Sequence, residues 1–257
     1  MTPTRIDPAP REHIIDLSLP VVSGMAGIPN MALYQQHPVV VQAATWINEE
    51  QRTLLASAAV DLMPGGSATG HMNTVMTLNS HIGTHIDAPR HFFVDGASID
   101  RTPLERLVMR EAVVIDMSTI AAGAGVTGDA LEASGVRPAP GQIIVIRTDW
   151  TDRAWGTPAF WDNTVYLDPT VSEWTSSFEP AAVAMDCFPE KPFWRFTLQT
   201  HERGANHRRW LGAGIPMIQL LTGLAAVGSS FTMTALPLRL SGMDGSPARV
   251  VGITKSS

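Results

Sequence analysis

Eleven consecutive residues, His81-Ile82-Gly83-Thr84-His85-Ile86-Asp87-Ala88-Pro89-Arg90-His91, hold three of the chain's eight histidines and a carboxylate. Any fold this sequence adopts must place those side chains sensibly, and few local geometries do so. A flat strand would put positions 81, 85, 87 and 91 on one face, but at about 3.3 Å per residue its ends would lie roughly 33 Å apart. An undisturbed helix would bring His81 and His85 together, yet Gly83, the β-branched Thr84 and Ile86, and Pro89 all oppose it. The expected solution is a tight turn or single helical turn at Gly83 followed by a short extended run. That path converges His81, His85 and Asp87 on one point, and Pro89 then swings His91 back towards them.

Neutral imidazoles and an ionised carboxylate suit a borderline divalent cation. A lone His or Asp is ordinarily a hydrogen-bonded or solvated group, and an HxxxH spacing recurs by chance. Four ligand-type side chains of one parity, punctuated by Gly and Pro, are better explained by a metal centre.

The stretch HIGTHIDAPRHF resembles the HxGTHxDxPxHF signature of the cyclase family of metal-dependent hydrolases, which includes bacterial kynurenine formamidases, isatin hydrolases and a trans-dienelactone hydrolase. Further stretches resemble family landmarks in family order: IIDLSLPVVSGM (14–25), the run 104–117, GQIIVIRTDW (141–150), AVAMD (182–186) and PLRLSGMDGSPARVVGI (237–253). The resemblance implies a single-domain α/β chain of the swivelling β/β/α, cyclase-like type with a mixed sheet, spanning residues 1–257, and a homodimer or higher homo-oligomer. It also implies that His81, His85 and Asp87 ligate one divalent metal, Mn2+ or Zn2+, and that His91 takes part in catalysis or ligation. We assign His91 to catalysis. Family members with two metals carry a His followed twelve residues later by a Glu, and His207 with Gln219 matches that spacing with an amide in place of the carboxylate. An amide oxygen is a neutral, weaker ligand. One ion per chain is therefore expected, with His207 and Gln219 near the substrate, in the second shell or at a weakened second metal.

The implied chemistry is hydrolysis by a metal-activated water that opens a cyclic amide or cleaves an aryl formamide, with a dienelactone-type lactone hydrolase as the alternative. A non-haem Fe(II) oxygenase also uses two His and one carboxylate, but its HxD/E plus a distant His is not the spacing found here. A non-catalytic metal-binding scaffold leaves His91 and the spacing of His207 without a purpose.

The rest of the chain fits a small-molecule enzyme. It has 257 residues, 44% hydrophobic and 16% charged, within the ordinary globular range. A net charge of -6 without a Lys/Arg-rich run gives no electrostatic footprint for nucleic acid or an anionic membrane. Cys187, the single cysteine, allows no intrachain disulfide and reads as a buried inert thiol. The polar, Pro-rich start and the lack of a long apolar run make a cytoplasmic location the simplest expectation.

Val39–Val41, Ala112–Ile115, Gln142–Ile146, Val183–Met185, Phe231–Leu236 and Arg249–Ile253 read as strands, and the unbroken apolar runs among them suggest a sheet covered on both faces. Thr102-Pro103-Leu104-Glu105 predicts a capping box and a short helix through about Val108. Thr127–Gly135 predicts a second helix stopped by Gly, and a third should contain Asn206–Leu211, end near Gly212 or Gly214 and present His207. Pro64–Gly70 is Gly-rich without a phosphate-loop ending and reads as a flap. Trp150, Trp155, Phe160, Trp161 and Trp174 fit either a pocket for a flat substrate or plain core packing. His201-Glu202 fails as a zincin motif because position 205 is Ala, leaving Glu202 as a surface or second-shell carboxylate.

Overall fold

The computed structural model describes residues 12–25, 27–29, 31, 40–44 and 73–255. They fall into two compact units, the larger containing residues 12–20, 28–29 and 80–255, the smaller 21–25, 27, 31, 40–44 and 73–79. The strands in chain order are β1 (Glu12–Asp16), β2 (Val40–Ala44), β3 (Asn73–Thr77), β4 (His85–Asp87), β5 (Arg110–Asp116), β6 (Gly125–Val126), β7 (Ile143–Arg147), β8 (Tyr166–Leu167), β9 (Ala182–Met185), β10 (Met217–Gln219), β11 (Ser230–Pro237) and β12 (Gly245–Lys255). In the smaller unit β2 pairs antiparallel with β3, Val40 opposite Thr77 and Ala44 opposite Asn73. Val39 and the Pro64–Gly70 flap lie outside the described residues.

The larger unit is mixed α/β. Its sheet runs β1-β12-β11-β5-β7-β9-β10-β4, and a further pairing of β12 with β4 closes it into a barrel. The length of β12 makes closure possible: its far part pairs with β1 and its first three residues pair with β4. Strands β5, β7, β9 and β10 are mutually parallel. Their connections carry helices α1 (Gly128–Ala133), α2 (Trp150–Ala154), α3 (Ala159–Asp162), α4 (Pro169–Ser176) and α5 (Ala205–Gly212). No helix among the described residues is long and apolar enough to cross a membrane.

The continuous apolar runs have the physical reason expected of them, because successive side chains point to opposite faces and both faces are covered. Ile143 and Val145 of β7 join one core with Ile86, Ala182, Ile218, Met233 and Val250, while Ile144 and Ile146 join another with Met185, Trp150, Trp161 and Trp210. Each fully buried Ile or Val is worth about 1.5–3 kcal/mol relative to exposure. The aromatic segment belongs to this second core: Trp150, Phe160 and Trp161 are buried, with Trp155 and Trp174 packed against them. Of its two readings, core packing is the observed one.

Two of the three expected helices form as read. The Thr127 side chain accepts the Ala130 N–H at the start of α1, and Gly135 follows the helix at φ +74°. Helix α5 covers Ala205–Gly212. The capping box at Thr102 does not form. Residues Leu104–Arg106 make a single 3-10 turn whose N-cap is Pro103, without a side-chain cap bond, and the Thr102 hydroxyl is buried with no partner among the described residues. The extended backbone at Thr102 and Pro103 delays the turn by one residue, so the Thr and Glu are out of register for reciprocal capping.

Candidate metal centre

Strand β4 is the floor of the site. It lies between β10 and β12 in the barrel, with Gln219 opposite His85 on one side and Gly245 opposite Asp87 on the other. Because alternate residues share a face, Ile86 enters the barrel core while His85 and Asp87 point the other way together. The turn before β4 is made at Gly83, at φ +59°. After Ala88, a 3-10 turn over Pro89–His91 redirects the chain and returns His91 to the site. The path is the one expected from Gly83 and Pro89.

Asp87 is completely buried and is the hub. Its Oδ1 lies 2.7 Å from His81 Nδ1 and 3.3 Å from His85 Nε2. Its Oδ2 accepts the Gln219 amide N–H at 2.6 Å and lies 3.3 Å from His207 Nε2. His207 and Gln219 therefore both contact the central carboxylate itself. The His91 ring packs against His81 with centroids 3.9 Å apart. One donor atom each from His81, Asp87 and His91 lies within 4.8 Å of the others, a set able to hold a cation.

Two residues that the motif does not name complete the arrangement. Asp244, just before β12, takes the other nitrogen of His81 on Oδ2 at 2.8 Å, faces His91 Nδ1 at 3.4 Å, and accepts the Ser80 hydroxyl on Oδ1 at 3.0 Å. Glu190 follows β9 and holds His207: its Oε1 accepts the ring Nδ1–H and the backbone N–H of that residue, both at 2.8 Å. Asp244 sits inside the SGMDGSP stretch, an acid flanked by turn residues, so a signal existed. Glu190 has no local pattern to announce it. Gly245 matters as well, because a Cβ there would fall 2.7 Å from His81 Cε1, and the ring occupies that space.

The electrostatics favour added positive charge. Burial opposes protonation of His81, but the Asp87 charge and the bonds to Asp244 and Asp87 outweigh it and raise its pKa to about 10. Burial likewise opposes charge on His207, yet the bonds to Asp87 and Glu190 raise its pKa to about 9. Burial would raise the Asp87 pKa, but His81 and the bonds from His207, His81 and His85 hold it well below the usual carboxylate range. His91 goes the other way: burial first, then the nearby His81 and His207, lower it to about 4, so it is neutral at pH 7.

The donor chemistry fits a divalent cation. Two ligands on one ion in a tetrahedral shell, each at about 2.0–2.2 Å, sit about 3.3–3.6 Å apart. His85 Nε2 and His207 Nε2 both meet that separation from an Asp87 oxygen, at 3.3 Å. Both rings are also tied back through Nδ1, His85 to the Gly83 carbonyl at 2.7 Å and His207 to Glu190, which directs Nε2 towards Asp87. Elsewhere, His201 is exposed, and Glu202 pairs with Lys191 at 3.0 Å and accepts the Gln199 N–H, as a surface carboxylate does. Cys187 is buried, and burial pushes its thiol well up, as an inert core cysteine requires.

The fold is shared with solved structures. Isatin hydrolase A from Labrenzia aggregata, bound to benzyl benzoate, matches with a TM-score of 0.74 and 21% identity over 95% of this chain and 94% of that one. Isatin hydrolase A from Ralstonia solanacearum matches at 0.70 and 22%, over 95% and 92%. A structure described as a predicted metal-dependent hydrolase from Bacillus stearothermophilus matches at 0.67 and 19%, over 95% and 98%. At these identities the likeness establishes the fold, and the cyclase-like α/β architecture with a mixed sheet holds. The family model named Cyclase matches residues 15–189, more than half of the sequence and including the whole His81–His91 stretch. This chain belongs to the Cyclase family.

Proposed function

We propose that this protein is a divalent-metal-dependent hydrolase that opens a cyclic amide or cleaves an aryl formamide. The observation that carries the reading is the buried Asp87 carboxylate, with imidazole nitrogens facing each of its oxygens at ligand-to-ligand separation. His81, His85 and Asp87 would hold the ion, one per chain, with Mn2+ or Zn2+ as the candidates for a mixed imidazole and carboxylate donor set. When bound, such an ion supplies Lewis acidity at a scissile carbonyl and lowers the pKa of water towards neutrality.

The chain's own residues supply the rest. His91 is neutral at pH 7 and has a partly exposed side chain, so it can take a proton from the attacking water and return it to the leaving nitrogen. Asp244 faces His91 Nδ1 and restrains the ring. Phe92 stacks on His207 with centroids 4.7 Å apart and an interplanar angle of 13°. Phe92 and its neighbour Phe93 are both exposed hydrophobics, an apolar margin suited to a flat aryl substrate. The isatin hydrolase relatives support the same substrate class. A small-molecule substrate and a homodimer or higher homo-oligomer are part of the proposal, the latter checked by light scattering.

The test is metal analysis of the purified protein followed by a hydrolysis screen over isatin, N-formylkynurenine and dienelactones. Metal-dependent turnover of a C–N substrate is expected. Turnover confined to dienelactones would move the assignment to the lactone alternative, and oxygen consumption without hydrolysis would overturn it.

A further inference from the structure

Glu190 is a buried carboxylate outside the sequence motif. Its Oε1 accepts two N–H groups of His207, whereas its Oε2 is buried with no hydrogen-bond partner among the described residues. Lys191, next in sequence, pairs with Glu202, and the only ion pair of Glu190 among the described residues is with the His207 ring. A buried carboxylate so sparsely satisfied is costly unless positive charge compensates it. The far nitrogen of that same ring, Nε2, faces Asp87 Oδ2 beside Gln219, a neutral side chain.

We propose that Glu190 is a positioning residue for the metal centre: it fixes the His207 ring with Nε2 towards the cation and supplies, through that ring, the negative charge that neutral Gln219 does not. The inference rests on the proposed metal-dependent reading and adds to it the residue that turns the His207 ring towards that centre. A carboxylate bonded to the remote nitrogen of an imidazole fixes its tautomer and raises its basicity towards a cation. The backbone bond from His207 N to the same carboxylate oxygen gives Glu190 a structural share too, because that N–H lies in the first turn of α5 and the N-cap, Gly204, has no side chain to accept it. A test must separate the two roles. Glu190→Gln does so, since its amide oxygen can still accept both bonds while the charge is gone.

Isothermal titration of Zn2+ and of Mn2+ into the metal-stripped full-length chain is the measurement. Glu190→Gln should bind either ion about 10–100-fold more weakly, the usual effect of losing such a partner. Glu202→Gln, which removes a surface carboxylate, should bind as the parent does. Adding Gln219→Glu to Glu190→Gln should restore most of the lost affinity, because the charge returns on the other side of the same carboxylate. A merely structural role predicts that Gln219→Glu raises affinity by the same factor in the parent as in Glu190→Gln, whereas the proposed role predicts a larger gain in Glu190→Gln. If Glu190→Gln fails to fold by circular dichroism, Glu190→Asp and the 15N shift of His207 Nε2 on Zn2+ addition take its place, with charge-retaining Asp expected to keep the Zn2+-induced shift. Parent-like affinity in Glu190→Gln, absence of rescue by Gln219→Glu, or no Zn2+ effect at His207 would overturn the inference while leaving the metal centre standing. A parent that takes up no divalent ion would remove both.

Discussion

Asp87 and Asp186 are both completely buried, yet their surroundings drive them in opposite directions. Asp87 faces His81, His85 and His207 and is held well below the usual carboxylate range. Asp186 faces neutral donors: its Oδ1 accepts the Thr148 N–H and hydroxyl at 2.7 and 2.6 Å, and its Oδ2 accepts the Asp149 N–H at 2.7 Å. Burial dominates there and pushes its pKa up to about 7 despite those bonds. The first carboxylate is arranged to hold positive charge; the second ties the chain leaving β7 to the chain leaving β9. Burial alone thus does not identify a functional acid. The character of its partners does.

The sharpest way to break this comparison is to neutralise each carboxylate in turn. Asp87→Asn should lose tight binding of Zn2+ and Mn2+ and bring hydrolysis to background, because the hub becomes neutral and offers only one ligand oxygen. Elemental analysis and turnover check it; parent-like metal content would refute the hub assignment. His91→Ala should keep the metal but lose about 10²–10⁴-fold in kcat, the contribution of a positioned proton carrier. Loss of metal in that variant would recast His91 as a ligand.

Asp186→Asn should leave metal affinity unchanged and lower stability by about 1–3 kcal/mol, since its amide would turn a donor towards the Thr148 or Asp149 N–H. Urea unfolding reads the change, and a drop in metal affinity would show that the brace and the centre are not separate. A further test is the effect of pH on the metal-stripped protein. His81 and His207, at about 10 and about 9, lie above the 6.5 of a free imidazole. Their contribution is present in full below pH 6.5 and is lost as pH rises through 9 to 10. Melting temperature should fall across that range, and a divalent ion should flatten the decline.

Much of this was legible in the sequence for a physical reason: where the chain must bend is written locally. Gly83 and Pro89 dictate the turn and the return, so His81, His85, Asp87 and His91 could be grouped from the sequence. The strands built on apolar runs such as Ile143–Ile146 were equally readable, whereas β1, β3, β6, β8 and β10, without such runs, were not. His207 was placed on its helix, but its direct approach to Asp87 was not, nor was the pairing of Gln219 with His85, because both arise from barrel closure between residues far apart in the chain. Asp244 and Glu190 escaped for the same reason. The Thr102 capping box failed because a short pattern of residue types does not fix the backbone angles on which capping depends.

The central claim is that Asp87 and its imidazoles form one site for a divalent ion. Calorimetric titration of Zn2+ into metal-stripped protein at pH 7, repeated in buffers of different ionisation enthalpy, tests it most directly. Uptake of about one ion per chain with release of about two protons, one each from His81 and His207, is the predicted result. Absence of uptake, or uptake without proton release and unchanged in Asp87→Asn, would contradict it.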